Sequence, residues 1–161
     1  ASDVYKGQLG SFALTAQTFT ASNVGAEIIS TGTIVADFVV TNDGVYGEDW
    51  QVDAIEVNMS HSFMSDLTLQ LVSPAGTALT LASGAGGNNA GFDLSSPAYV
   101  GATFSAAGPD GPAVGAGTGP LSGNYVPQGL FSTFNGEEVS GTWMLVITDQ
   151  VGGDSGAFGA G

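Results

Sequence analysis

The chain has 161 residues, 15 of them acidic against a single lysine or arginine, and a formal charge of −14. A surface so uniformly negative argues against nucleic acid as a partner and makes divalent cations the natural counter-charge. Cysteine is absent, which removes disulfides, thiolate metal sites and a cysteine nucleophile together.

A chain of this length can bury roughly 70% of its unfolded surface in one core, so a single domain is expected. No apolar run approaches the length of a membrane span, and no basic region precedes an apolar one at the start, so no membrane insertion is expected. The small-residue start "ASDV" fits a mature end left by a signal peptidase, and hence an extracellular, secreted protein.

In chain order, the first predicted element is "LGSFALTAQTFTAS" (9 to 22), uncharged, with Phe12 and Leu14 in one phase. Residues 1 to 25 are read as an N-terminal extension containing this strand, and residues 26 to 161 as the β-sandwich proper. "TGTIVADFVV" (31 to 40) is a strand, followed by the acidic turn "TNDGVYGEDWQVD" (41 to 53). "IEVNM" sets Ile55, Val57 and Met59 on one face against Glu56 and Asn58, and "LTLQL" does the same with Leu67, Leu69 and Leu71.

"SPAG" (73 to 76) predicts a hairpin turn, Pro74 fixing one φ and Gly76 tolerating a positive one. "TALTLA" (77 to 82) follows as its second strand. The glycine-rich stretch from 83 to 127 reads as a long loop anchored by Phe92, Tyr99, Phe104 and Tyr125, with room for short strands that the pattern does not place. In "WMLVIT" both phases are apolar, which predicts a central strand covered on both faces. No segment has helical periodicity.

The turns "TDQVGGDSG" and "TNDGVYGEDWQVD" are the best candidates for a metal, with Asp43, Asp49, Asp149 and Asp154 as ligands. Calcium is the expected ion, because flexible acidic loops supply the six to eight oxygens it takes. With His61 as the one histidine, zinc is a poor fit. Neither turn has EF-hand spacing, and each aspartate also has a plain reading as a turn residue bonding backbone amides.

His61 itself is read as a hydrogen-bonded structural residue, since no GxSxG elbow is present to pair with it. Glu137 and Glu138 are adjacent and cannot share a site on a strand. Tyr46, Trp50 and Tyr125 are the aromatics that a carbohydrate-binding face would use. No catalytic constellation emerges, so an enzyme is the poorest reading.

The motifs resemble a known family. "IEVNMSHSFMSDLTLQLVSPAGTALTL" (55 to 81) and "GLFSTFNGEEVSGTWMLVITDQVGGDSG" (129 to 156) are similar to the P domain, or Homo B domain, of proprotein convertases and bacterial subtilisin-like proteases. The matching residues are His61, Asp66, Leu67, Ser73, Pro74, Gly76, Thr77, Gly136, Gly141, Thr142, Trp143, Leu145, Asp149, Gly153, Asp154 and Gly156. The resemblance implies a jelly-roll-like β-sandwich of the all-β class, non-catalytic in itself, that sits behind a protease domain and stabilises it.

Two departures shape the functional expectation. In the family the pattern continues after "GDtG" into a final strand with a tryptophan, whereas here "AFGAG" follows, so the sandwich is expected to lack its own last strand. An unpaired edge is a template for another chain. Self-association through the N-terminal strand, extending head-to-tail into filaments, is therefore the first functional expectation. An accessory module partnering a protease domain is the second, and a carbohydrate- or surface-binding module the third.

Overall fold

The computed structural model describes residues 17 to 22, 25 to 29, 31 to 85, 97 to 105 and 121 to 159. Nine strands follow in chain order: β1 (Glu27–Ile29), β2 (Thr33–Val40), β3 (Ile55–His61), β4 (Leu67–Val72), β5 (Ala78–Ser83), β6 (Pro97–Phe104), β7 (Leu121–Tyr125), β8 (Gly141–Asp149) and β9 (Ser155–Phe158). They form two sheets, ordered β1-β9-β3-β6-β7 and β2-β8-β4-β5. The expected all-β sandwich is what forms.

The alternating residues supply the core. Val57 and Met59 of β3, Leu67, Leu69 and Leu71 of β4, Leu79 and Leu81 of β5, and Trp143, Leu145 and Ile147 of β8 are all buried between the sheets, each set spaced by two as the pleat requires. Trp143 meets Phe134 edge-on, ring centroids 5.1 Å apart, and its indole N–H donates to the Val139 carbonyl at 2.8 Å. Its apolar area is therefore buried with its one polar atom satisfied.

The "SPAG" hairpin forms as expected between β4 and β5: Gly76 has φ +89°, and its N–H donates to the Ser73 carbonyl at 2.9 Å. β8 is central in its sheet, between β2 and β4. Only one of its faces is fully covered, however, since Met144, Val146 and Thr148 remain half-buried on the outside. That correction follows from the layering, because a two-sheet sandwich covers one face of each sheet.

Three segments go beyond the sequence pattern. The glycine-rich stretch contains β6 and β7, the one parallel pair among the described strands; Phe104 is buried, with Tyr125 at 6.3 Å between ring centroids, while Phe92 lies outside the described residues. Short 3-10 turns form at Met64–Asp66 and Phe131–Phe134. The tail after Asp154 forms a strand, β9, inserted between β1 and β3. The edge expected to lack a last strand is thus paired along Met59 to His61 by Phe158 to Gly156.

Most of the expected N-terminal strand lies outside the described residues. Residues 17 to 22 run beside the edge strand β2 of their own chain, with Phe19 stacked on Phe38 at 5.9 Å and the Ser22 N–H donating to the Asp37 carbonyl at 2.9 Å. No helix among the described residues is long and apolar enough to cross a membrane.

Candidate functional site

His61, Asp66, Asp149 and Asp154 converge where the chain twice crosses between the sheets. β3 ends at His61 in the first sheet, and the turn Met64–Asp66 delivers the chain to β4 in the second. β8 ends at Asp149, and residues 150 to 154 return the chain to β9. The crossovers are tied together: the Gln150 N–H donates to the Asp66 carbonyl at 2.9 Å and the Ser62 N–H to the Ser155 carbonyl at 3.4 Å. Strand pairing sets Leu67 opposite Asp149 and His61 opposite Gly156. A Cβ on Gly156 would overlap the Ser60 carbonyl and approach His61 Cδ2 to 2.8 Å, so glycine here is what lets β9 lie against the histidine.

The side chains of His61 and Asp149 are both fully buried, with Nε2 3.5 Å from Oδ2. One donor atom from each of His61, Asp149 and Asp154 lies within 4.8 Å of the others. The Nδ1 atom of His61 is 2.9 Å from the Phe63 carbonyl oxygen and 3.2 Å from the Phe63 nitrogen. The two contacts belong to different tautomers: with the proton on Nδ1 the ring donates to the Phe63 carbonyl and turns its Nε2 lone pair toward the carboxylates, and with the proton on Nε2 the Phe63 N–H donates to Nδ1.

The carboxylates are poorly satisfied by protein groups. Asp149 Oδ1 accepts the Val151 N–H at 3.2 Å, while Asp149 Oδ2 and both oxygens of Asp154 are sealed from solvent without a hydrogen-bond donor. Such groups carry a desolvation cost of about 1–3 kcal/mol each, more when charged. Burial pushes the Asp154 carboxyl above the ordinary carboxylate range; the charges of Asp149 and Asp66 push it further, and His61 opposes them.

The other predicted ligands stand elsewhere. Asp49 accepts the Val45 N–H at 2.9 Å through Oδ2, and the Asp43 backbone carbonyl accepts the Trp50 indole N–H at 3.1 Å. Neither belongs to the His61 cluster. Thr77 Oγ1 donates to Glu137, which is half-buried.

The aromatic face also dissolves. Tyr46 is buried against Phe134 and Trp143, its hydroxyl accepting the Val52 N–H at 3.2 Å. Trp50 and Tyr125 pack on the core as well, so the three rings offer no shared exposed platform. Of the four aspartates expected from the sequence, Asp149 and Asp154 lie beside His61, a residue for which the sequence favoured a structural role. The signal was the end of one strand and the start of the next, on chain segments far apart.

The proprotein convertase P-domain family model matches residues 51 to 160, most of the chain, and the chain belongs to that family. Among solved structures it is similar to the serine protease of Aeromonas sobria, at 19% identity and a TM-score of 0.48. It is likewise similar to the complex of the Aeromonas sobria serine protease and the chaperone, at 21% identity and a TM-score of 0.47. Each alignment covers 94% of this chain, which spans 23% of the chain it matches. No curated protein matches the chain.

Proposed function

We propose that this chain is a non-catalytic, extracellular accessory module that stabilises a subtilisin-like serine protease domain. The observation that carries the reading is the family match over residues 51 to 160, which spans β3 to β9 and so most of the sandwich. The chain's single histidine supports it from the chemical side. His61 is fully buried and held between Phe63 and Asp149, out of reach of a substrate whose proton it would have to take.

The self-assembling alternative needs the segment from 9 to 22 to leave its own molecule. Residues 17 to 22 instead pack on β2 of the same chain, which favours the accessory reading. The test is thermal inactivation of the protease domain that the module accompanies, followed with and without this chain joined to it. A longer half-life with the module, and no hydrolysis by the module alone, is expected. An unchanged half-life refutes the reading, and filaments that disappear on deletion of residues 1 to 22 would restore the alternative.

A further inference from the structure

We propose that His61, Asp149 and Asp154 bind one divalent metal ion of the class that accepts imidazole together with carboxylate, zinc(II) being its representative. The inference goes beyond the accessory role and stands or falls separately from it. Three observations carry it.

The first is the direction in which the donors face. In the tautomer that gives its Nδ1 proton to the Phe63 carbonyl, the one a bound metal would select, His61 turns a lone pair toward Asp149. A ring N–H given to a backbone carbonyl is the arrangement that orients metal-ligating histidines. Asp149 is fully buried with one oxygen lacking a donor, and Asp154, both of whose oxygens lack one, brings an oxygen within 4.8 Å of the other two residues' donor atoms. Acceptors gathered in a sealed space are stabilised by a cation placed between them.

The second is that a proton on His61 serves Asp149 badly. An imidazolium would face Asp149 at 3.5 Å, well beyond the roughly 2.7–2.9 Å of a charge-assisted hydrogen bond. That same 3.5 Å separation is close to the edge of a tetrahedron of ligands bonded at about 2.1 Å, which is about 3.4 Å.

The third is the donor set. Calcium takes six to eight oxygens, whereas this space offers one imidazole nitrogen and the carboxylates of Asp149 and Asp154. Imidazole favours zinc and its neighbours over calcium and magnesium. The expectation of an oxygen-only calcium site rested on the acidic turns without the histidine that folding adds to one of them. Val151, Gly152 and Gly153, which join Asp149 and Gln150 to Asp154, are exposed.

The experiment uses the whole chain, stripped with chelator and titrated by calorimetry with zinc chloride and, separately, calcium chloride; cobalt(II) then serves as a spectroscopic probe of nitrogen ligation. One zinc per chain, a raised thermal midpoint and a visible cobalt absorption band are expected. Asp154→Asn and His61→Gln should each weaken zinc binding by about tenfold or more. Because His61→Gln can fail to fold for reasons of packing, Asp154→Asn is the second arm: its metal-free midpoint should be no lower than that of the parent. Absence of stoichiometric zinc uptake by the folded chain overturns the proposal. So does calcium binding that is tighter than zinc and unchanged in His61→Gln.

Discussion

The turn from 41 to 53 and the turn from 148 to 156 share a composition of aspartate and glycine, yet their carboxylates meet different surroundings. In the first, Asp49 folds back onto the Val45 amide four residues away and closes a local turn at the surface. In the second, Asp149 and Asp154 are drawn beneath the turn against a histidine from another sheet. The first turn is complete in itself. The second leaves buried oxygens without donors, and that difference separates a structural turn from a candidate ligand site.

The comparison is tested most severely by removing one carboxylate from each turn. Asp149→Ala leaves a cavity beside buried His61 and removes the oxygen that accepts the Val151 N–H, and should cost about 2 kcal/mol in urea unfolding with chelator present. Asp49→Ala loses one exposed hydrogen bond and should cost about 1 kcal/mol. Equal losses would mean that the two turns are alike after all.

Glycine replacements come next. Gly156→Ala drives a methyl group into the Ser60 backbone, which cannot move without parting β9 from β3, and should cost about 2 kcal/mol or more. Gly47→Ala, on the first turn, has φ +86° and meets the tip of the Asn135 side chain at 2.6 Å. That tip can swing away, leaving mainly the backbone strain of about 1 kcal/mol. Thermal midpoints of the two variants rank the turns directly.

The smallest effect expected is a pH dependence confined to the second turn. Asp154 is held above its ordinary value of 3.8 by burial and by the charges of Asp149 and Asp66, against the pull of His61, so the folded chain binds this proton more tightly than the unfolded one. Its favourable contribution is complete below the unfolded value and is lost as pH rises through the raised one. With chelator present, Asp154→Asn should therefore gain in midpoint relative to the parent as pH climbs toward neutrality. A gap that stays constant across that range would place Asp154 in solvent, like Asp43 and Asp49.

Much of the sandwich was legible because its strands are half-buried, and burial on one face writes itself as alternation. Leu67, Leu69 and Leu71, or Trp143, Leu145 and Ile147, need no knowledge of their neighbours to be assigned inward. β6 and β7 were hidden because they lie in glycine-rich sequence whose pairing with each other is parallel, and no local turn announces such a pair. β9 was missed because four residues, "SGAF", are too few to show a period.

The sequence by itself determined the class of fold, the hairpin at Ser73 to Gly76, the inward face of each long strand and the acidic turn that ends β8, since each of these depends on residues adjacent along the chain. Only the tertiary structure decided that β9 slots between β1 and β3, that Tyr46 is core, and that His61 faces Asp149 across the sandwich. Those outcomes depend on which strand ends lie side by side, and strand order is set by packing the two sheets together.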